Sequence, residues 1–145
     1  MFWDTLAIIP VLVVEAWSRQ ATDLLNRDAN AAIWWGTPVE CASALERRKR
    51  EGGLSSVRYR EAYRRLARLQ QRVDLVQPHP VVRDRAIELL KHHPLRAGDA
   101  LQLAAALIYF EARPASAIFV CLDSRLRHAA SQEGLHILPE KLGTS

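Results

Sequence analysis

The chain has 145 residues, of which 49% are hydrophobic and 25% charged, with 20 Lys and Arg against 16 Asp and Glu for a formal charge of +4. That length and apolar content suit a single domain, residues 1–145, with a substantial core. The apolar stretch from Leu6 to Val14 is bracketed by Asp4 and Glu15. It is far shorter than the roughly 20 residues of a membrane span, and no basic region precedes it, so neither a membrane segment nor a secretory signal is expected.

The two cysteines, Cys41 and Cys121, are isolated and form no C-x-x-C pair, so a reducing, cytoplasmic location is the simplest inference. Charge is unevenly placed. Between Arg47 and Arg72 stand Arg47, Arg48, Lys49, Arg50, Arg58, Arg60, Arg64, Arg65, Arg68 and Arg72 against only Glu51 and Glu61. This region is either a solvated helix face or a surface for phosphate, which the planar guanidinium fork suits well.

In chain order, Met1–Trp3 reads as a short strand ending at Asp4. Thr5 to Trp17 is apolar nearly all round and predicts a helix packed against a sheet, with Pro10 kinking it or delaying its start. Ser18 is placed to cap a second helix that turns Ala21, Leu24 and Leu25 inward and ends near Asn30. Ala32 to Trp35 predicts a buried strand. Gly36-Thr37-Pro38-Val39-Glu40 then predicts a helix start with Thr37 as cap, Pro38 at the first position and Glu40 closing a capping box.

That helix should run to Arg50 and stop at Gly52-Gly53. A second one starts at Ser55 or Ser56, with Tyr59, Ala62, Tyr63, Leu66 and Leu69 or Gln70 on one face, making a helical hairpin inserted between strands. Val73–Val76 predicts a third strand, Val81–Lys91 a helix ended by His92-His93-Pro94, and the stretch from Gly98 a buried helix with Asp99 and Gln102 at its polar start. Ala117–Leu122, Ser124–Gln132 and Leu135–Leu138 predict a strand, a helix and a strand. Short, continuously apolar strands alternating with helices define an α/β fold with a parallel sheet covered on both faces, and functional residues in such sheets collect beyond the strands' carboxyl ends.

Asp4, Glu40, Asp99 and Asp123 each stand at or near a predicted helix start. Singly, each is explained as a cap or as an anion set against a helix dipole. Jointly, four carboxylates converging on one place would repel one another unless a cation lay among them. An all-oxygen donor set suits Mg²⁺ or Mn²⁺, and such an ion supports phosphodiester hydrolysis. His79, His92, His93, His128 and His136 lack metal-ligand spacing, no glycine loop precedes a Lys-Ser/Thr, and no nucleophile elbow is present. A phosphoacceptor domain would need a lysine after a late strand, which Lys49, Lys91 and Lys141 do not supply.

With these residues in view, the chain resembles the PIN-domain ribonucleases, and among them the VapC-type toxins of toxin–antitoxin pairs. Asp4-Thr5 is similar to the family's opening motif, Thr37-Pro38-Val39-Glu40 to the segment carrying its glutamate, Leu95 through Ala106 around Asp99 to its third motif, and Phe119 through Ala130 around Asp123 to its fourth. Leu6 stands where a small residue is frequent, and Gln102 where histidine is common.

The resemblance implies a PIN-like three-layer sandwich with a five-stranded parallel sheet in the order 3-2-1-4-5. It also implies an Mg²⁺- or Mn²⁺-dependent endoribonuclease, an RNA substrate, a cognate VapB-type antitoxin and a homodimer. On it, Asp4, Asp99 and Asp123 bind the metal directly or through water, Glu40 completes the site, Thr5 and Ser124 support it by hydrogen bonds, and Arg125 and Arg127 are candidates for holding RNA. Two readings stand beside it: a nucleic-acid-binding or regulatory protein of the same fold that does not cleave, and a phosphotransfer or phosphatase domain.

Overall fold

The structure, a computed structural model, describes residues 1–114 and 117–142. Five short strands, β1 (Phe2–Trp3), β2 (Ala32–Trp34), β3 (Asp74–Val76), β4 (Ile118–Val120) and β5 (His136–Leu138), form one parallel sheet in the order β3-β2-β1-β4-β5. Seven helices accompany them among the described residues: α1 (Thr5–Leu12), α2 (Ser18–Arg27), α3 (Thr37–Arg50), α4 (Ser56–Arg72), α5 (Pro80–His92), α6 (Ala97–Glu111) and α7 (Ser124–Gln132). The α/β class and the strand order are those expected from the sequence.

Neighbouring side chains on each strand point to opposite faces of the sheet, and this divides the core in two. Phe2, Ala32, Trp34 and Phe119 pack with α5, α6 and α7. Trp3, Ile33 and Val120 pack with α1 to α4. Both halves are built from completely buried side chains, Phe2, Trp3, Ile33, Phe119 and Leu103 among them, so the sheet is apolar on both faces as a parallel sheet must be. No helix among the described residues is long and apolar enough to cross a membrane.

Several element ends differ from the sequence reading. Helix α1 stops at Leu12 rather than continuing to Trp17, and it carries Pro10 within it. Leu6 on its outer side is 47% exposed, so the helix is not buried all round. Ser18 does not cap α2. Its hydroxyl accepts from the Glu15 amide at 2.8 Å and donates to the Val13 carbonyl at 2.8 Å, tying down the loop before the helix, and α2 ends at Arg27. Ser55 does cap α4, accepting from the Arg58 amide at 3.2 Å, and Gly52 takes a positive φ of 76° where α3 ends, as expected of that glycine pair.

Trp3 carries the one polar group of a fully buried ring, and its indole N–H donates to Asp28 Oδ2 at 2.9 Å, joining β1 to the loop before β2. Asp28→Ala leaves that donor unpaired in the core. The expected loss is about 1–3 kcal/mol, read as a lower denaturant midpoint with an unchanged slope; an unchanged midpoint would show that the pair contributes nothing.

Candidate functional site

At the centre of the sheet, β1 and β4 lie side by side and in register, Trp3 opposite Val120, and the Asp4 amide extends the ladder by donating to the Val120 carbonyl at 2.9 Å. The strand order reverses here, β2 and β3 lying to one side and β4 and β5 to the other, and such a switch point opens a crevice at the strands' carboxyl ends. The side chains of Asp4, Thr5, Glu40, Asp99 and Asp123 all line a single cavity of about 360 Å³, together with Arg47, Arg96 and Arg125. Four acids from four separate segments are thus brought to one place.

Each acid reaches the cavity by a different local route. Asp4 and Asp123 are helix N-caps: Asp4 accepts from the Leu6 amide at 3.1 Å, and Asp123 from the Leu126 amide at 2.9 Å. Asp99 lies in the first turn of α6, near the positive end of its dipole. Glu40 differs from the sequence reading. The cap of α3 is Gly36, no side chain caps it, and no capping box forms. Gly36 is required there because a Cβ would come within 2.6 Å of the Trp34 indole nitrogen.

Thr37 and Glu40, freed from capping, turn to other partners. Glu40 Oε2 accepts from Thr5 Oγ1 at 3.2 Å and Glu40 Oε1 from Gln102 Nε2 at 3.2 Å; Thr37 Oγ1 accepts from the same amide nitrogen at 3.0 Å. Gln102 is fully buried. Sequence reasoning placed it at the polar start of α6 and gave it no role, since nothing local reveals that it meets residues 97 and 62 positions away.

The remaining candidates divide. Thr5 belongs to the site through Glu40, and Arg125 lines the cavity. Ser124 is exposed and is not part of the cavity wall. Arg127 is not there either: its guanidinium donates to the carbonyls of Cys121 at 2.7 Å and Pro139 at 2.6 Å, joining α7 to the segment after β5. Arg96, which the sequence reading did not single out, stands on the rim.

Part of the hairpin's charge is engaged elsewhere. Glu61 pairs with Arg64, Arg65 and Arg68, and Arg48 with Glu15. Arg47 is the member of the cationic run that reaches the cavity. Among the described residues no ion pair engages Arg47, Arg96 or Arg125.

Burial dominates the electrostatics. Asp4, only 3% exposed, is pushed up to about 7 by desolvation, with Glu40 and Asp99 adding to the rise and the Leu6 amide opposing it. Glu40 and Asp99 are also raised, each chiefly by burial; Asp99 is raised further by Asp123 and lowered by Arg96 and Arg125. The Cys121 thiol donates weakly to Asp4 Oδ2 at 3.8 Å and is itself raised by burial, so it is an inert neighbour.

Among the described residues, no three His, Cys, Asp or Glu side chains converge closely enough to chelate an ion as they stand. The donor chemistry and the space nonetheless fit a hydrated divalent cation. All four donors are carboxylates around one cavity, and Mg²⁺ commonly keeps several waters and takes only one or two carboxylates directly. Burial disfavours the ionised form of Asp4, Glu40 and Asp99, and a cation among them would favour it.

No family model matches the sequence, and no curated protein sequence matches it.

The raised value of Asp4 has a sign that can be measured. Its folded-state value near 7 lies above the ordinary 3.8, so the folded protein holds a proton that the unfolded chain has released, and the stability this gives is lost as pH rises from about 4 to about 7. Asp4→Asn keeps a competent cap and removes the buried charge. The metal-free variant should therefore melt higher than wild type at about pH 8 and by a clearly smaller margin at about pH 5, whereas Mn²⁺ should stabilise wild type more at the higher pH because proton and cation compete. Equal melting curves at both values would remove the electrostatic account.

Proposed function

We propose that this chain is a PIN-like, VapC-type endoribonuclease that hydrolyses RNA phosphodiester bonds with the help of Mg²⁺ or Mn²⁺. The observation that carries the reading is the meeting of Asp4, Glu40, Asp99 and Asp123 around one cavity at the switch point of the sheet, with Arg47, Arg96 and Arg125 on its rim. The resemblance of the segments around Asp99 and Asp123 to the family's third and fourth motifs adds the choice of RNA as substrate.

Asp4, Asp99 and Asp123 would hold the ion directly or through water, with Glu40 completing the site. An ion held there would supply charge stabilisation at the phosphoryl oxygens and make water more acidic. Thr5 and Gln102 keep the Glu40 carboxylate in place. Exposed Arg47, Arg96 and Arg125 attract the phosphate backbone, and the fork geometry of guanidinium favours a two-point grip on it. Water attacking phosphorus would pass its proton to one of the cavity's carboxylates as the new P–O bond forms, and the ribose oxygen would leave as the old one breaks, taking up a proton from solvent. A VapB-type antitoxin and a second copy of the chain are the partners proposed with this reading.

The account is checked by purified-protein cleavage of RNA. Asp4→Asn and Asp99→Asn should each lower the Mn²⁺-dependent rate by about 100-fold or more while leaving the circular dichroism spectrum unchanged, the loss expected when an essential electrostatic group goes. Wild-type RNA binding that weakens with salt but is unaccompanied by cleavage would favour the non-cleaving nucleic-acid-binding reading.

A further inference from the structure

The geometry points to Gln102 as the positioning residue of the carboxylate site, an amide that fixes Glu40 and Thr5 from beneath and so sets the affinity of the cavity for a divalent cation. The inference rests on the ribonuclease reading only in taking the cavity as a cation site. Gln102 is completely buried in α6. Its Nε2 lies 2.7 Å from Thr5 Oγ1, 3.0 Å from Thr37 Oγ1 and 3.2 Å from Glu40 Oε1. One side chain therefore ties together the start of α1, the start of α3 and α6.

The hydrogens can be assigned from the partners. The Thr5 hydroxyl hydrogen is given to Glu40 Oε2 at 3.2 Å, so Thr5 Oγ1 can only accept from the amide. A carboxylate at Glu40 likewise only accepts, so the two hydrogens of the amide serve three acceptors, one hydrogen being shared between Thr37 Oγ1 and Glu40 Oε1. Turning the amide over would set its oxygen against Glu40 Oε1 and leave Thr5 Oγ1 without a donor, so the contacts select the orientation in which nitrogen faces the site. The consequence lies at the other end of the group: Gln102 Oε1 is buried with no hydrogen-bond partner.

An orphaned buried carbonyl costs stability, and an apolar side chain of the same length would fill the space without that cost. The residue thus serves the acids above it at the expense of the core around it. Residues that orient a ligand in this way commonly change metal affinity by about 10- to 100-fold when removed.

The test is Mn²⁺ binding followed by the electron paramagnetic resonance of the free ion, on Gln102→Met, Glu40→Gln and the double variant. Gln102→Met should weaken binding by about 10- to 100-fold, and the double variant should bind no more weakly than Glu40→Gln alone, because Gln102 acts on the ion through the Glu40 carboxylate. Losses that add would assign Gln102 a general structural role and overturn the proposal. So would weakened binding in Glu40→Gln with none in Gln102→Met, an outcome that leaves the cation site standing. Unchanged binding in Glu40→Gln and in Asp4→Asn would instead remove the cation site itself, and this proposal with it.

Should the methionine variant not fold, the wild-type chain decides. The Gln102 side-chain amide resonances should move when Mg²⁺ is added and stay fixed in Glu40→Gln; amide resonances that ignore Mg²⁺ in the wild type overturn the proposal.

Discussion

Everything at the site depends on the pairing of β1 with β4. Two strands of two and three residues, separated by more than a hundred positions, lie parallel with Trp3 opposite Val120. Parallel pairing makes both chains leave the sheet at the same edge, and each leaves it through an aspartate that caps the next helix. Asp4 and Asp123 are therefore neighbours by backbone geometry. The helices α3 and α6, packed on opposite faces of the sheet, bring Glu40 and Asp99 to the same edge.

Capping and function are consequently not rival explanations for Asp4 and Asp123. Each uses one oxygen to satisfy a helix amide, and each also lines the cavity. What capping does not explain is the burial. A cap gains nothing from being desolvated, and serine or threonine would serve at Asp4 without a carboxylate pushed up to about 7. Glu40 carries the argument further, since it caps nothing and is held by two side chains from other elements.

The α/β class and the four acids were legible in the sequence because they depend on local pattern, apolar runs alternating with helical periodicity and acids at their junctions, whereas the sheet order came only from the resemblance of the motifs. The exceptions have physical causes. Thr37-Pro38-Val39-Glu40 has the spacing of a capping box, but long-range partners took both side chains, and Gly36 had to stand at the cap to clear Trp34. Ser18 found carbonyl and amide partners in its own loop. Arg127 looked like Arg125, two positions away, yet two positions turn a side chain by roughly 200° around a helix, which aims Arg127 at backbone carbonyls instead of the cavity. Gln102 stood out in the sequence only as a polar residue where the resembled motif commonly has histidine, and its role was not legible because its contacts are distant along the chain.

The central claim is that the four carboxylates form a cation site. Anomalous diffraction from a crystal soaked in Mn²⁺ addresses it most directly. The account predicts a single strong peak inside the cavity bounded by Asp4, Glu40, Asp99 and Asp123, with contacts to these oxygens directly or through ordered water. Mn²⁺ bound elsewhere on the molecule, with this cavity holding only water, would contradict it.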